Sequence, residues 1–382
     1  MIRKTGFAAT AAFLLLTVSA QAFTQDEFDR AVEEIFSPLM ETFDIPGLAV
    51  GITYQGKHYT YSQGLAERKN RRPVTGETIF ELGSVSKTFA ATVAALAEQR
   101  GVLDLHQPVS TYLDELKGSP FDRISVMDLA THTNKGLSLF TPKHTKSEAE
   151  LLSYLGNDWE PLEGGDVRSY SNMGIGLLGA ATASAMKTTY PQALEETLSL
   201  MGLSSTGVDV RESLMGNYAY GYARKGNKPI RSSTGIFGAQ SYSVKSTAND
   251  MLAYLDYQLG ESNLPSEINA AVERTHQGQT KTDYFTQAMV WERYPWPAPR
   301  AALEVASTFK YAGNPHPVGR LEKPETSKEA VFIHKTGSTR GFGAYIAMVP
   351  SERLGIVVLA NKIYPNGERV KAALALTEEV LN

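Results

Sequence analysis

The chain has 382 residues, 42% hydrophobic and 20% charged, with 37 basic against 41 acidic side chains, a formal net charge of −4 and no cysteine. So much apolar content at so small a net charge excludes a disordered chain. The missing cysteine excludes a disulfide scaffold, a thiolate metal site and a thiol nucleophile, and the slight acidity argues against a nucleic-acid binder.

The chain opens with Arg3 and Lys4, an apolar run from Phe7 to Val18, and the small residues Ser19-Ala20-Gln21-Ala22. This is the three-part pattern of an export signal cleaved after Ala22. The run is about a dozen residues, short of the roughly 20 needed to span a bilayer. A soluble protein of a bacterial periplasm, with no membrane anchor after processing, is expected.

From Gln25 to Phe43, Phe28, Val32, Ile35, Phe36 and Leu39 recur at helical spacing, and Pro46-Gly47 ends the helix. Leu48–Tyr54 and His58–Gln63 read as strands joined at Gln55-Gly56-Lys57. An Ala-rich helix runs from Ser86 to Gln99 and stops at Gly101. Further helices are expected over Ser147–Leu155, Asn172–Met186, Pro191–Met201 and Thr247–Leu259. The pattern then returns to strands at Ala288–Glu292, Ala330–His334, Gly343–Val349 and Gly355–Ala360, and Arg369–Leu381 closes as a helix. Strands at both ends can pair into one antiparallel sheet flanked by the first and last helices, giving an α/β (α+β) protein. The expected α/β lobe spans roughly 23–83 and 281–382, and an all-helical lobe roughly 84–280. A cleft between two such lobes is a common place for a site.

Three short motifs carry chemistry. In Gly83-Ser84-Val85-Ser86-Lys87, Ser84 stands where a helix begins and Lys87 lies on the same face three residues on. A serine hydroxyl needs a base to become a nucleophile, and a lysine can serve when burial or nearby cations depress its proton affinity. The helix start adds N–H donors for a developing oxyanion. The second motif is Tyr170-Ser171-Asn172, a phenol and an amide just before a helix. Between lysines such a phenol becomes a general base. The third is His334-Lys335-Thr336-Gly337-Ser338, where a strand end offers a cation, a hydroxyl and open backbone to a carboxylate-bearing substrate. Ser-x-x-Lys recurs at Ser184/Lys187 and Ser307/Lys310, and Tyr-x-Asn at Tyr364/Asn366. Those serine copies read as chance, one late in a helix and one in an unpatterned stretch. Order and conjunction, not any single motif, carry the signal.

With these motifs in this order, the chain resembles the serine penicillin-recognising enzymes, and most closely the class C β-lactamases. Phe80-Glu81-Leu82-Gly83-Ser84, Tyr242-Ser243-Val244-Lys245-Ser246-Thr247, Trp291-Glu292 and Leu359-Ala360-Asn361-Lys362 extend the likeness over nearly the whole chain. The resemblance implies a β-lactamase/transpeptidase-like fold and a serine hydrolase that opens the β-lactam ring of cephalosporins and penicillins through an acyl-enzyme on Ser84. It implies Lys87 as proton partner, Tyr170 as general base, and Lys335 and Thr336 as carboxylate contacts. Ser84 and Ser338 would supply the oxyanion N–H groups. Asn172 would touch Lys87 and the substrate amide, Tyr242 would wall the substrate side chain, and Asn366 and Arg369 would line the carboxylate side. It implies no metal or other cofactor and no nucleic-acid partner; a monomer is expected.

Some positions depart from the family. Phe140 stands where relatives commonly carry Gln, Arg340 where a small or neutral residue is usual, Gly164-Gly165 where Pro-Gly is usual, and Ile363 where a polar residue is common. These bear on the substrate profile and not on the reaction type. A D-alanyl-D-alanine carboxypeptidase or penicillin-binding protein, with the same acylation chemistry and slow deacylation, is the nearest alternative. A related serine esterase is the next, disfavoured by the true Lys-Thr-Gly.

Overall fold

The computed structural model describes residues 23–261 and 264–382. The proposed export signal lies outside the described residues. The backbone of the molecule is an antiparallel ten-stranded sheet. From edge to edge its strands are Gly319–Glu325, Gly278–Lys281, Thr286–Gln287, Glu292–Pro295, Val331–Ser338, Gly343–Val349, Leu354–Ala360, Gly47–Tyr54, Lys57–Glu67 and Arg72–Pro73. The first and last parts of the chain meet where Leu48 pairs with Ala360 and Tyr54 with Leu354. Gln55 and Gly56 both have positive φ, 52° and 79°, the geometry of a tight two-residue hairpin. Lys57, expected in that loop, is already in the strand and pairs with Tyr54.

Alternation along the central strands sends side chains to two apolar layers. Leu48, Val50, Ile52, Ile356 and Val358 pack with Phe28, Val32 and Phe36 of the helix Gln25–Thr42 and with Leu374 and Leu376 of the helix Asn366–Leu381. Thr24 starts the first helix with a capping box: its hydroxyl accepts from Glu27 N–H at 3.3 Å, and the Glu27 carboxylate takes Thr24 N–H at 2.8 Å. On the opposite face the helix Ala248–Leu259 lies close. A Cβ on Gly51 would meet Leu252 at 3.0 Å, and one on Gly355 would meet Leu255 at 3.1 Å. Each fully buried Leu, Ile, Val or Phe side chain in these layers contributes about 1.5–3 kcal/mol.

The helix Ser86–Gln99 is buried from Ser86 through Ala97, on every face. Such a helix needs small and apolar residues all round, and its run of Ala, Thr, Val and Leu supplies them. Several sequence expectations are corrected here. The middle of the chain is not separate from the sheet, because Ala248–Leu259 packs on it and Gly278–Lys281 joins it. Nor is the middle all-helical: Phe80–Glu81 pairs with Lys245–Ser246, and Gly221–Tyr222 with Pro229–Ile230. Of Ala288–Glu292, expected as a strand, only Glu292 is in one. Ala288 through Trp291 form a fully buried hairpin loop, with Val290 at φ 70° and its N–H donated to Ala130 O at 2.8 Å. Gln287 Nε2 donates to the carbonyls of Ala288 and Trp291, both at 2.9 Å, while Ala288 N–H donates to Trp291 O and Met289 N–H to Thr275 O, so apolar residues line a loop whose backbone is satisfied by one amide and its backbone neighbours. The stretch read as unpatterned holds the short helices Arg300–Ala306 and Phe309–Ala312.

Candidate active site

The turn Gly83–Val85 carries Ser84 to the face of the strand Val331–Ser338. Two glycines allow that approach. A Cβ on Gly83 would fall 2.4 Å from Ser338 N, and one on Gly337 only 2.0 Å from Leu82 O. Gly83 also has φ 53°, a left-handed conformation that side chains resist. The segment 241–247 clamps the turn from another side: Leu82 N–H donates to Val244 O at 2.9 Å, and Val244 N–H to Ser86 Oγ at 3.0 Å.

Lys87 is wholly buried in the first turn of the helix Ser86–Gln99 and donates to Ser84 Oγ at 3.1 Å and to Ser241 O at 2.7 Å. Burial pushes its ammonium down to about 8, assisted by the nearby Lys335 cation and opposed by Tyr170. Tyr170 sits between the short strand Val167–Arg168 and the helix Asn172–Ala185, whose N-cap is Ser171. Lys87 Nζ lies 5.2 Å and Lys335 Nζ 5.1 Å from the centre of its ring. Burial alone would raise the phenol. The cations of Lys335 and Lys87, with hydrogen bonds from Ser84 and Lys335, outweigh it and bring Tyr170 down to about 8.

Lys335 is 2% exposed and donates to Thr336 O at 2.9 Å. The strand Glu292–Pro295 pairs only with Val331 through His334, while the other neighbour pairs as far as Ser338. Among the described residues, Lys335 to Ser338 therefore keep one open edge, suited to a substrate lying along the strand. Tyr242 directly follows the Ser241 carbonyl that Lys87 holds, and is half-buried.

Two expected contacts take another form. Lys87 finds its carbonyl in Ser241, while Asn172 Oδ1 is buried without a partner. Asn172 is nevertheless fixed at the site, its N–H donated to Leu139 O at 3.2 Å. Arg369, expected to line the carboxylate side, is fully buried against the strand Val331–Ser338. Its guanidinium donates to Gly337 O and, at 2.8 Å, to Ala344 O, and also to Ser338 Oγ, Tyr364 O and Asn366 Oδ1. Asn366 accepts from Ser338 Oγ at 3.0 Å. A planar fork of five donors suits a clasp of this kind, and the matched positions are spent on holding the strand. The other two serine motifs are inert: Ser184 donates to Tyr112 O at 2.7 Å late in its helix, and Ser307 caps a helix end, buried.

A family model described as beta-lactamase matches residues 32–381. The chain belongs to the β-lactamase family. A β-lactamase of Providencia stuartii is 41% identical over 369 residues, covering 96% of this chain and 94% of that one. Among solved structures, a β-lactamase from Sulfitobacter sp. EE-36 superposes with a TM-score of 0.92 at 46% identity, over 94% of this chain and 99% of its own. A class C β-lactamase from Rhodobacter sphaeroides gives 0.89 at 44% identity, over 92% and 100%.

Members of the family are read through their serine and lysine motifs, and sequence reasoning alone passed over what stands behind Tyr170. Arg168, 1% exposed, lies 5.4 Å from the Tyr170 ring centre and donates to Glu292 Oε1 at 2.9 Å and Gln287 Oε1 at 2.7 Å. Glu292 in turn lies 3.2 Å from His334 Nε2, next to Lys335 in the strand. Despite burial, His334 and Arg168 hold the Glu292 carboxyl well below the usual range. Trp291-Glu292 was the one visible trace of this chain of contacts. The second feature passed over is His132, whose ring lies against Tyr170 at 4.5 Å between centres.

Proposed function

We propose that the enzyme hydrolyses β-lactams through an acyl-enzyme on Ser84. The observation that carries this is the convergence of Lys87 and Tyr170, both brought down to about 8, on one serine hydroxyl. The substrate lies along the open edge of Lys335 to Ser338, its carboxylate against Lys335 and Thr336. Ser84 Oγ attacks the lactam carbonyl as its proton passes to the Tyr170–Lys87 pair. The N–H groups of Ser84 and Ser338 receive the oxyanion. The ring C–N bond then breaks and its nitrogen takes that proton. Water next attacks the ester, Tyr170 accepting the water's proton, and Ser84 leaves as a hydroxyl. Asn172 and Tyr242 face the substrate side chain.

No helix of the described residues is long and apolar enough to cross a membrane. The basic, apolar and small-residue order of the first 22 positions supports export to the periplasm with Phe23 as the new N-terminus. Sequencing the secreted protein from its N-terminus checks that point. For the activity, purified enzyme is given a chromogenic cephalosporin in large excess. Sustained hydrolysis over many turnovers is expected. A single burst equal to the enzyme concentration would instead mark a penicillin-binding protein.

A further inference from the structure

His132 is a buried titratable group to which the steps above assign no work. It lies in the segment 131–139, which is tied to the Tyr170 strand without any help from its imidazole. Ser169 N–H donates to His132 O at 2.8 Å, Asn134 Nδ2 to Ser169 O at 3.1 Å, Ser171 Oγ to Ser138 O at 2.8 Å, and Asn172 N–H to Leu139 O at 3.2 Å. The ring itself has zero exposure, accepts one long hydrogen bond from Ser171 N–H at Nδ1, 3.4 Å, and leaves Nε2 without a partner. An unpartnered buried polar atom keeps its desolvation penalty uncompensated, so packing alone does not account for this side chain. The backbone is strained as well, with φ 59° at His132. What the ring does touch is Tyr170, tilted 48° against it at 4.5 Å between centres.

We infer that His132 is a positioning residue: its ring fills one side of Tyr170 and fixes the phenol oxygen where Ser84, Lys87 and Lys335 converge. Lys87, Lys335 and Arg168 approach its ring at 5.1 to 5.4 Å and act on it by charge, whereas the imidazole makes a ring-on-ring contact. The histidine stays neutral in this role. Burial, then the cations of Arg168, Lys87 and Lys335, hold it well below its ordinary value. It adds no fourth cation, and the pH response of the site belongs to Tyr170 and Lys87.

The inference rests on Tyr170 acting in β-lactam hydrolysis, and the test separates the two. Wild type, His132→Asn and His132→Phe are compared by steady-state kinetics across pH and by ultraviolet difference titration of the phenol, with Tyr170→Phe as blank. Asn keeps an acceptor for Ser171 N–H and removes the ring; Phe keeps the ring and removes the acceptor. In His132→Asn, kcat is expected to fall on the order of tenfold to a hundredfold, the scale of a misplaced catalytic group. Its KM should move less than about threefold. The acid limb of the rate profile and the Tyr170 titration should shift upward together, as the freed phenol loses its close cations. His132→Phe should recover most of kcat and the wild-type limb, at a lower melting temperature. Wild-type kcat and limb in folded His132→Asn, or equal losses in both variants, would overturn the positioning role and leave the proposed function intact. Failure of wild type itself to turn over would instead remove the functional reading on which this role depends.

Discussion

Two sets of buried cations meet at the strand Val331–Ser338, and they are satisfied to different degrees. Arg369 spreads its terminal nitrogens over three carbonyls, a hydroxyl and an amide oxygen. Lys87 bonds two oxygens, one of them Ser84 Oγ, and Lys335 bonds one. An ammonium has three donors, so both lysines retain capacity that faces the same phenol. Burial is common to all three. At Lys87, beside the phenol, it displaces the proton affinity toward the working range. The difference teaches that a motif match places a charge near the site, while its hydrogen bonds decide whether it is structural or reactive.

The strongest way to break this comparison is to remove the phenol. Tyr170→Phe is expected to lower kcat by about 10²–10⁴-fold, the range for a lost general base, with the melting temperature little changed. Steady-state kinetics and a thermal melt decide it; near-wild-type turnover would make the lysine side as inert as the arginine side. Arg369→Met probes the other half. It strands carbonyls and hydroxyls behind the strand, and a loss of about 3 kcal/mol in urea unfolding is expected. Its kcat per folded molecule should fall far less than that of Tyr170→Phe. An unchanged urea midpoint together with a large rise in KM would restore Arg369 as a carboxylate contact.

The pH dependence of stability sharpens the contrast further. Lys87 and Tyr170 have ordinary values of 10.5 and 10.0, and both are brought down to about 8 in the folded protein. Between these limits the unfolded chain binds more protons at these two groups, so their contribution to stability rises with pH from about 8 to 10. For Lys87 this is the relief of a penalty on the buried ammonium; for Tyr170 it is a gain from the phenolate. The rise in urea midpoint over that window should be smaller in Tyr170→Phe than in wild type, and a parallel rise in both proteins would refute the assignment. The smallest effect is expected at Phe140, 64% exposed, near the end of the loop tied to Ser171 and Asn172. Phe140→Gln should change the kcat/KM ratio between aryl and small side-chain substrates by no more than about tenfold, leaving the shared reaction steps untouched.

That Ser84, Lys87, Tyr170 and the Lys335 strand come together was legible because each sits at a helix start or on a strand, where local pattern sets position. Helix Ser86–Gln99 matched its expected bounds because small and apolar residues fill it without interruption. Arg369 misled because its spacing from Asn366 is the same whether it faces a substrate or the back of a strand. Ala288–Glu292 looked like a strand because apolar content alone does not distinguish a ladder from a buried loop whose backbone is held by Gln287, Thr275 and Ala130. His132, Arg168 and Ser241 carry no spacing signal. They reach the site through contacts between segments far apart in sequence, such as Ser241 with Lys87 and Arg168 with Glu292.

The central claim is that the uncompensated lysine–phenol cluster serves one hydroxyl, that of Ser84. Acid quenching of wild type during turnover of a penicillin, followed by intact-mass measurement and peptide mapping, tests it most directly. The account predicts one adduct, at the mass of the whole substrate, on the peptide containing Ser84, disappearing as substrate is exhausted. An adduct on Ser184 or Ser307, or sustained turnover with no covalent species at any quench time, would contradict it.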